Sequence, residues 1–171
     1  MIFIGIDPGL SGALAFWEPS TRALAIFDMP TIDVIRSNKK RRQIDTALLL
    51  SHLSAKTERL MRTDMRAAIE LSGVRPGEGA VGAHRNGINW GVAYMALVAL
   101  KIPHEIVSPQ MWKHQMRAPA DKTSARLRAS ELMPEHAGMW PLKKHDGRAE
   151  AAMIAMWCAN CTDRRLSGAM S

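Results

Sequence analysis

Cysteine is scarce in this chain, and its shortage excludes whole classes of protein. Only two cysteines occur among the 171 residues, too few for the disulfide framework of a small secreted domain. Cys158 and Cys161 form a C-x-x-C pair, but no second pair completes a four-cysteine zinc site. The pair falls late in an apolar helical stretch, so we predict two reduced cysteines that pack within a helix.

Long apolar runs are also missing. No stretch reaches the roughly 18 apolar residues that a membrane-spanning helix requires, and no basic region precedes the short apolar run at the N-terminus. These absences predict a cytosolic location. Internal repeats, low-complexity tracts and dividing linkers are absent too, so we expect a single domain over residues 1–171.

Negative charge is in short supply, with 16 acidic against 23 basic side chains and a net charge of +7. This balance favours an anionic partner, of which nucleic acid is the commonest soluble kind, although a generally basic surface is the alternative. For the run "KKRR" a solvated loop or a localisation signal are further alternatives. The basic residues suited to phosphate are Lys39, Lys40, Arg41, Arg42, Lys113, Lys122, Arg126, Lys143 and Lys144.

Hydrophobic patterning predicts an α/β fold. Strands are expected at residues 2–6, 13–17, 23–27, 66–71 and 102–109. Helices are expected at residues 44–61, 82–100, 122–132 and 146–161, and a basic segment at 36–43 separates the third strand from the first helix. The order βββ-α-β-α-β-α-α predicts a five-stranded mixed sheet, three antiparallel strands and then two parallel ones, flanked by helices on both faces.

Acidic residues stand in strongly apolar surroundings at the ends of two strands and in the last helix. Asp7 ends the first strand, Glu70 lies near the end of the fourth, and Glu150 lies within "AEAAMIAMW". Asp146 precedes Glu150 by four residues and, at about 40° around the helix axis, shares its face. Burying an ionised carboxylate without a partner costs several kcal/mol, so this group requires cations.

Two kinds of cation could neutralise these carboxylates. Basic side chains could pair with each one singly, although Arg148 reaches Asp146 or Glu150 only by leaning away from the apolar face. Alternatively, one or two shared divalent ions could neutralise the whole group, and all-oxygen ligands favour Mg²⁺ or Mn²⁺ over zinc. The four carboxylates meet if the first and fourth strands are neighbours and the last helix packs across their ends.

Three blocks of sequence in order resemble the RuvC-type Holliday junction resolvases: "GIDPG" on the first strand, the glutamate that ends the fourth, and "KKHDGRAEAAMIAMW" at 143–157. The resemblance covers nearly the whole chain and is closest to the shorter, phage-type RuvC-like proteins, in which a terminal "HDGRAEA" block is characteristic. It implies an RNase H-like fold and a bacterial or phage-infected cell. Actin-like ATPases of a related fold also open with Asp-x-Gly, but they need a second domain and another phosphate loop, so no nucleotide cofactor is expected.

The resemblance also implies a role for each acid. Asp7, Glu70 and Glu150 match metal-binding positions of the family. Its remaining acid typically lies where this chain has Gly147, and Asp146 is the nearest substitute. Two Mg²⁺ ions, replaceable by Mn²⁺, are implied, as is a crossover junction endodeoxyribonuclease that hydrolyses phosphodiesters to 5′-phosphate and 3′-hydroxyl ends.

Two further positions follow from the resemblance. His145 is expected to orient or deprotonate the attacking water, with an exposed loop histidine as the alternative. Some relatives use an aromatic residue just beyond the fourth-strand glutamate to open the junction, but here the stretch is "LSGVRPGEG". Val74 or Arg75 could take part of that role, or the junction could be opened in a different way.

The symmetry of a four-way junction implies a homodimer, because two opposed strands are cut by two active sites. The helical segment 92–100 and the helix that holds Trp157 are candidate contacts, with core packing as the alternative for both. Two other functions stay open. One is a RuvC-fold nuclease for flaps, forks or replication intermediates, and the other is a non-catalytic DNA-binding module.

Overall fold

Short runs of apolar residues form the strands at the centre of the molecule. The computed structural model describes residues 1–36, 38–58, 60–73 and 77–168. The strands are β1 (Ile2–Asp7), β2 (Ala13–Glu18), β3 (Ala23–Asp28), β4 (Thr31–Arg36), β5 (Lys39–Ile44), β6 (Met65–Glu70) and β7 (His104–Val107). Five of them form one mixed sheet in the order β3-β2-β1-β6-β7, while β4 and β5 form a separate antiparallel hairpin. β1 is central, antiparallel to β2 and parallel to β6.

Short polar side chains fix where several helices begin. The helices are α1 (Thr46–Thr57), α2 (Ala80–Ala99), α3 (Pro109–Met116), α4 (Lys122–Leu132) and α5 (Asp146–Gly168). Asp45, Ser108 and Asp121 each accept a hydrogen bond from a backbone N–H of the first turn of α1, α3 and α4. Such caps satisfy donors that have no partner inside the helix. Among the described helices, none has the length and apolarity to cross a membrane.

The two faces of the sheet bury different helices. Because successive side chains of a strand alternate, Ile4 and Ile6 of β1 point to one face, where they pack with residues of α1 and α2 such as Leu49 and Leu97. Phe3 points to the opposite face, which α5 covers with its run of buried alanines. The sheet therefore carries a core on both sides, with β1 buried between them.

Glycine at position 5 allows α5 to lie directly on the central strand. A Cβ at Gly5 would collide with the carbonyl oxygen of Ala151 and the amide nitrogen of Ala155. The backbones of β1 and α5 are thus in direct contact at Gly5, with no side chain between them. This contact sets the position of α5 relative to the end of β1.

The five-stranded mixed sheet confirms the predicted fold class, but the sequence pattern missed one pair of strands. The basic segment 36–43 lies largely in β5, which pairs with β4 in a register that places Val34 opposite Arg41. Four consecutive cations mask the alternation of β5, and Pro30 interrupts the chain just before β4. The other strand of the hairpin, β4, does carry the apolar residues Ile32, Val34 and Ile35, a pattern that the prediction did not use.

Several element boundaries also differ from the expectation, and the first helix, expected over residues 44–61, is Thr46–Thr57. The strand predicted over residues 102–109 is limited to His104–Val107, since Ser108 begins α3, a helix that the pattern did not predict. The last helix continues to Gly168 rather than ending at 161. Cys158 and Cys161 are both buried and unpaired within it.

Replacing Gly5 with alanine is expected to destabilise the protein, because the added methyl group would force α5 away from β1. Overpacking of this kind costs about 1–3 kcal/mol. The free energy of unfolding in urea measures the effect. Gly87→Ala is the matched control: Gly87 is exposed in the middle of α2 with nothing near its Cβ position, so alanine there adds up to about 1 kcal/mol of helix propensity. Equal stability of Gly5→Ala and the wild type would contradict the close contact.

Candidate active site

Asp7 and Glu70 lie side by side at the ends of neighbouring parallel strands. The β1–β6 register pairs Ile6 with Ile69, so the next residue of each strand is Asp7 and Glu70. Asp7 comes two residues after Gly5, and Glu70 comes two residues after Ala68, so each points to the same face of the sheet as Gly5 and Ala68, the face that α5 covers. The two carboxylates therefore project toward the same face of the sheet, at the edge where α5 begins.

The first turn of α5 rests on Asp7 through a second glycine. A Cβ at Gly147 would lie 3.0 Å from Oδ2 of Asp7 and would collide with the carbonyl oxygen of Ser11. Glu150 follows one turn later on the same helix. No side chain fits at position 147 in this arrangement, so an acid there, as the RuvC-type pattern has it, would require the helix to move.

Two other carboxylates affect the pKa of Asp7. Burial, then repulsion from Glu150 and Glu70, raises the pKa of Asp7 from 3.8 to about 7. Two contacts lower the pKa of Asp7. The backbone N–H of Gly9 donates a hydrogen bond to Oδ1 at 3.2 Å, and the ammonium of Lys122 is close enough to attract the carboxylate. An acid with this environment is only half ionised near neutral pH unless a cation comes close.

Helix α3 supplies the partners of the other two carboxylates. The indole Nε1 of Trp112 donates a hydrogen bond to Oε2 of Glu70 at 2.6 Å. The neighbouring Lys113 donates from Nζ to Oε1 of Glu150 at 2.8 Å. Trp112 is fully buried, so its indole is a fixed donor, whereas Lys113 ends in a flexible ammonium. Because the pattern did not predict α3, neither contact was foreseen.

Asp146 is held by basic residues of α4. It is buried, with Arg126 Nε at 3.1 Å from its Oδ1 and Lys122 Nζ at 3.5 Å from its Oδ2. The Arg126 contact is an ion pair whose orientation does not make a hydrogen bond. The structure therefore pairs Asp146 singly with basic side chains, which was the alternative to a shared metal ion.

His145 lies at the start of α5, beside a different set of charges. Its Nδ1 accepts a hydrogen bond from the backbone N–H of Leu142 at 3.3 Å. Burial, followed by the nearby charges of Arg148 and Lys144, lowers the pKa of His145, while Asp28 raises it. The ring is thus neutral at neutral pH and its Nδ1 is already occupied.

A cleft of about 260 Å³ opens above the ends of β1 and β6. Asp7 and Glu70 lie at its floor, Asn86 of α2 lines one side and Gln110 of α3 lines another. In the parts of the chain that the structure describes, no three His, Cys, Asp or Glu side chains converge closely enough to form a ligand set for one metal ion. Val74 and Arg75, the predicted substitutes for the aromatic residue, lie outside the described residues.

The basic residues predicted to bind phosphate fall into two groups. Lys113, Lys122 and Arg126 face the acids of the site, as described above. Arg42 donates from Nη2 to the carbonyl oxygen of Leu10 at 3.1 Å, which ties the β4–β5 hairpin to the turn that follows Asp7. The remaining ones lie exposed on the surface: Lys39, Lys40, Arg41, Lys143 and Lys144.

Comparison with known proteins bears on the fold. No protein-family model and no curated protein sequence matches the chain. Among solved structures, RuvC of T. thermophilus in complex with a Holliday junction substrate superposes with a TM-score of 0.53 at 14% identity, and 93% of each chain is covered. The fold is RuvC-like. A second structure of Thermus thermophilus RuvC covers 93% of each chain at 17% identity with a TM-score of 0.49.

The RuvC-like fold confirms the fold that the resemblance of three short motifs implied. At 14% identity the whole-chain sequence carries little similarity, and the agreement lies in the arrangement of strands and helices. In this RuvC-like sheet Asp7 on β1 is near enough to Glu70 on β6 and Glu150 on α5 for their charges to act on it, although the three residues are separated by tens of residues in the chain.

Asp7→Asn is expected to stabilise the metal-free protein at pH 8 but not at pH 4. The pKa of Asp7 is about 7 in the folded protein, against 3.8 for an aspartate in the unfolded chain. Ionisation of Asp7 therefore destabilises the folded state, by an amount that grows from pH 4 to pH 7 and is complete above pH 7. Removing that charge should add about 2–4 kcal/mol at pH 8. Thermal or urea unfolding at both pH values in the presence of a chelator measures the difference.

The matched control is Asp33→Asn, which neutralises an exposed carboxylate that pairs with Lys40 on the β4–β5 hairpin. A surface pair of this kind contributes little, so stability should change by less than about 1 kcal/mol at either pH. If Asp7→Asn behaved like this control, the three carboxylates would not interact as described.

Proposed function

We propose that this chain is a divalent-metal-dependent endodeoxyribonuclease that resolves four-way DNA junctions. The observation that carries the proposal is that the charges of Glu70 and Glu150 act on Asp7, which lines an open cleft in a RuvC-like fold. The matching structure of T. thermophilus RuvC contains a Holliday junction substrate, which supports branched DNA as the ligand. The net charge of +7 agrees with a polyanionic substrate.

The donor atoms are of the kind that a hard divalent cation prefers, although in the described part of the chain the side chains do not lie close enough to bind one ion together. Asp7, Glu70 and Glu150 offer oxygen atoms alone, and the raised pKa of Asp7 marks a place where added positive charge is favourable. These three residues would hold Mg²⁺, with Mn²⁺ as a substitute, and Asp146 in the same first turn of α5 is the candidate for a fourth ligand. Two such ions, when bound, activate a water molecule and stabilise the charge that develops on the phosphate.

The side chains around the acids have defined tasks in this proposal. Trp112 orients Glu70 through a buried hydrogen bond, and Lys113 neutralises Glu150 while no other cation is present. With Glu150 as a metal ligand, the ammonium of Lys113 would be available to contact a phosphate of the DNA. Arg126 and Lys122 hold Asp146 in the same way. His145 remains a candidate for orienting water, although its Nδ1 is engaged.

Cutting two opposed strands of a junction requires two active sites, and a homodimer would supply them. An apolar groove runs between α1 and the C-terminal half of α2, lined by residues such as Leu50, Val92, Met95 and Ala99. Met95 is 54% exposed, whereas Trp157 of α5 is buried in the core. We therefore assign the dimer contact to this groove, within the predicted segment 92–100, and exclude Trp157. The site of action that we propose is the cytosol of a bacterial or phage-infected cell.

The decisive experiment is a cleavage panel of labelled four-way junction, fork, flap and linear duplex, each with Mg²⁺, Mn²⁺ or a chelator. We expect paired symmetric nicks in the junction with either metal and none with the chelator. Asp7→Asn should abolish cleavage and leave DNA binding within about threefold of the wild type, since it removes a metal ligand and not a phosphate contact. Asp33→Asn is the control and should cleave normally.

Each alternative gives a distinct result in this panel. Preferential cleavage of forks or flaps would identify a RuvC-fold nuclease for other branched DNA. Binding to junctions without cleavage under any metal would identify a non-catalytic DNA-binding module. Full cleavage by Asp7→Asn would show that the acids of the site are not the metal ligands.

The exposed cations of the β4–β5 hairpin are expected to bind the DNA backbone. Changing Lys39, Lys40 and Arg41 to glutamine should lower affinity and flatten the dependence of log K on log salt by about one unit for each phosphate that is no longer neutralised. Arg42 is left intact because its hydrogen bond to Leu10 supports the site. Arg22→Gln, on an exposed residue that pairs with Glu135, is the control. An unchanged slope in the triple variant would remove the hairpin from the interface.

A further inference from the structure

A second cavity, of about 220 Å³, separates the β4–β5 hairpin from the N-terminal half of α2. The hairpin contributes cationic and apolar side chains, and α2 contributes side chains of both kinds together with an amide. The residues that matter here are Val34, Arg41, Val81, Arg85, Ile88 and Asn89. Neither the RuvC resemblance nor the cluster of acids assigns a role to this cavity.

Asn89 is the buried polar side chain of this cavity. It is only 6% exposed, and among the described residues its side chain has no hydrogen-bond partner. Its amide is not one of the fully buried polar groups that lack a partner, so it stays accessible from the cavity, where a ligand can replace water as its partner. Its side chain carries both donor and acceptor, a combination that matches the edge of a nucleobase better than it matches a phosphate.

Two guanidinium groups stand at the same cavity with unused donors. Arg41 forms no ion pair or hydrogen bond within the described part of the chain, and Arg85 uses only its Nε, in a long contact of 3.4 Å to the carbonyl oxygen of Val81. Guanidinium groups bind phosphate through paired donors and also stack on flat rings. Their positions therefore suit an anionic, ring-containing ligand.

The remaining wall of the cavity is apolar and open to solvent. Val81 is 67% exposed and Ile88 is 44% exposed, although both lie on a helix next to arginines. A site for phosphate alone gains nothing from exposed aliphatic side chains, and an apolar protein surface gains nothing from two guanidinium groups. A nucleotide satisfies both, because its base is flat and largely apolar on its faces while its phosphate is charged.

The cavity adjoins the active-site cleft. Asn86 of α2 lines that cleft, and Asn89 lines the cavity three residues later on the same helix. Arg42, which also borders the cavity, reaches Leu10 in the turn that follows Asp7. A DNA strand with its phosphate in the cleft can therefore place a nearby nucleotide in the cavity without leaving the surface of α2.

We propose that this cavity binds one unpaired nucleotide of the branched DNA, next to the phosphate that is cut. The base lies against Val81 and Ile88 with its edge on the amide of Asn89, and Arg41 and Arg85 hold its phosphate. The inference rests on the proposed nuclease function. Its consequence is that a base is stabilised outside the helical stack at the branch, a task for which the described residues directly after Glu70, at 71–73, offer no aromatic side chain.

The test uses a four-way junction with one unpaired 2-aminopurine at the branch point and the same junction with an abasic nucleotide there. Affinity is measured with a chelator present, so that no strand is cut. The wild type should bind the 2-aminopurine junction about tenfold more tightly than the abasic one and should change the fluorescence of the base. Asn89→Leu and Arg85→Ala should each bind the 2-aminopurine junction about tenfold more weakly than the wild type does.

Two comparisons separate the base from its phosphate. For the abasic junction, Asn89→Leu should bind as the wild type does, whereas Arg85→Ala should remain weaker. Arg22→Ala is the control for removal of one positive charge, because Arg22 is exposed and pairs with Glu135. It should change the affinity for the 2-aminopurine junction and the affinity for the abasic junction by the same factor. Thermal unfolding checks that each variant folds, and Arg85→Ala keeps the test valid if the more buried Asn89→Leu does not.

Several outcomes would overturn the inference. Equal wild-type affinity for the two junctions would show that no base is bound, and the cavity would then serve phosphate alone. A change of oligomeric state in Arg85→Ala by light scattering would make the cavity a contact between copies of the chain. If the wild type cleaves junctions, and Asn89→Leu and Arg85→Ala bind the 2-aminopurine junction as tightly as the wild type does, then the proposed nucleotide site is wrong and the proposed function stands. If the wild type neither binds nor cleaves branched DNA, the proposed function itself fails.

Discussion

The close packing of α5 against β1 is the constraint on which the rest of the structure depends. Gly5 and Gly147 leave no side chain between the helix and the strand, so the first turns of α5 lie directly over the end of β1. The parallel register of β1 and β6 brings Glu70 beside Asp7. Three carboxylates from distant parts of the chain therefore lie near one another because of backbone contacts, although among the described residues they do not converge on one metal position.

That arrangement is unfavourable electrostatically in the absence of a strong cation. Asp7 responds by holding its proton, with a pKa raised to about 7, while Glu150 and Asp146 take the side chains of Lys113, Arg126 and Lys122 as partners. These ion pairs are partly buried, where neutralisation matters more than on the surface. A group of acids that repel one another and are paired with basic side chains marks this part of the fold as a candidate functional site.

The sequence allowed the central sheet to be predicted, and it singled out the acids at the edge of that sheet, because both leave strong patterns. Buried strands are apolar and short, and a lone carboxylate within such a run, as at Asp7, is conspicuous. The β4–β5 hairpin and α3 were missed because Lys39–Ile44 is dominated by charge and because α3 is a short helix that follows directly on β7. The pairing of Asp146 with Arg126 depends on how α4 packs against α5, which local patterning does not describe.

The proposed nuclease activity requires that the acids of the cleft act as one electrostatic unit that a divalent cation can relieve. Titration of the Asp7 carboxyl carbon by NMR, with and without Mg²⁺, measures this directly. The account predicts a pKa near 7 for Asp7 without the metal and a clear decrease when Mg²⁺ is added. A carboxyl that titrates near its ordinary value without metal, or one that Mg²⁺ leaves unchanged, would contradict it.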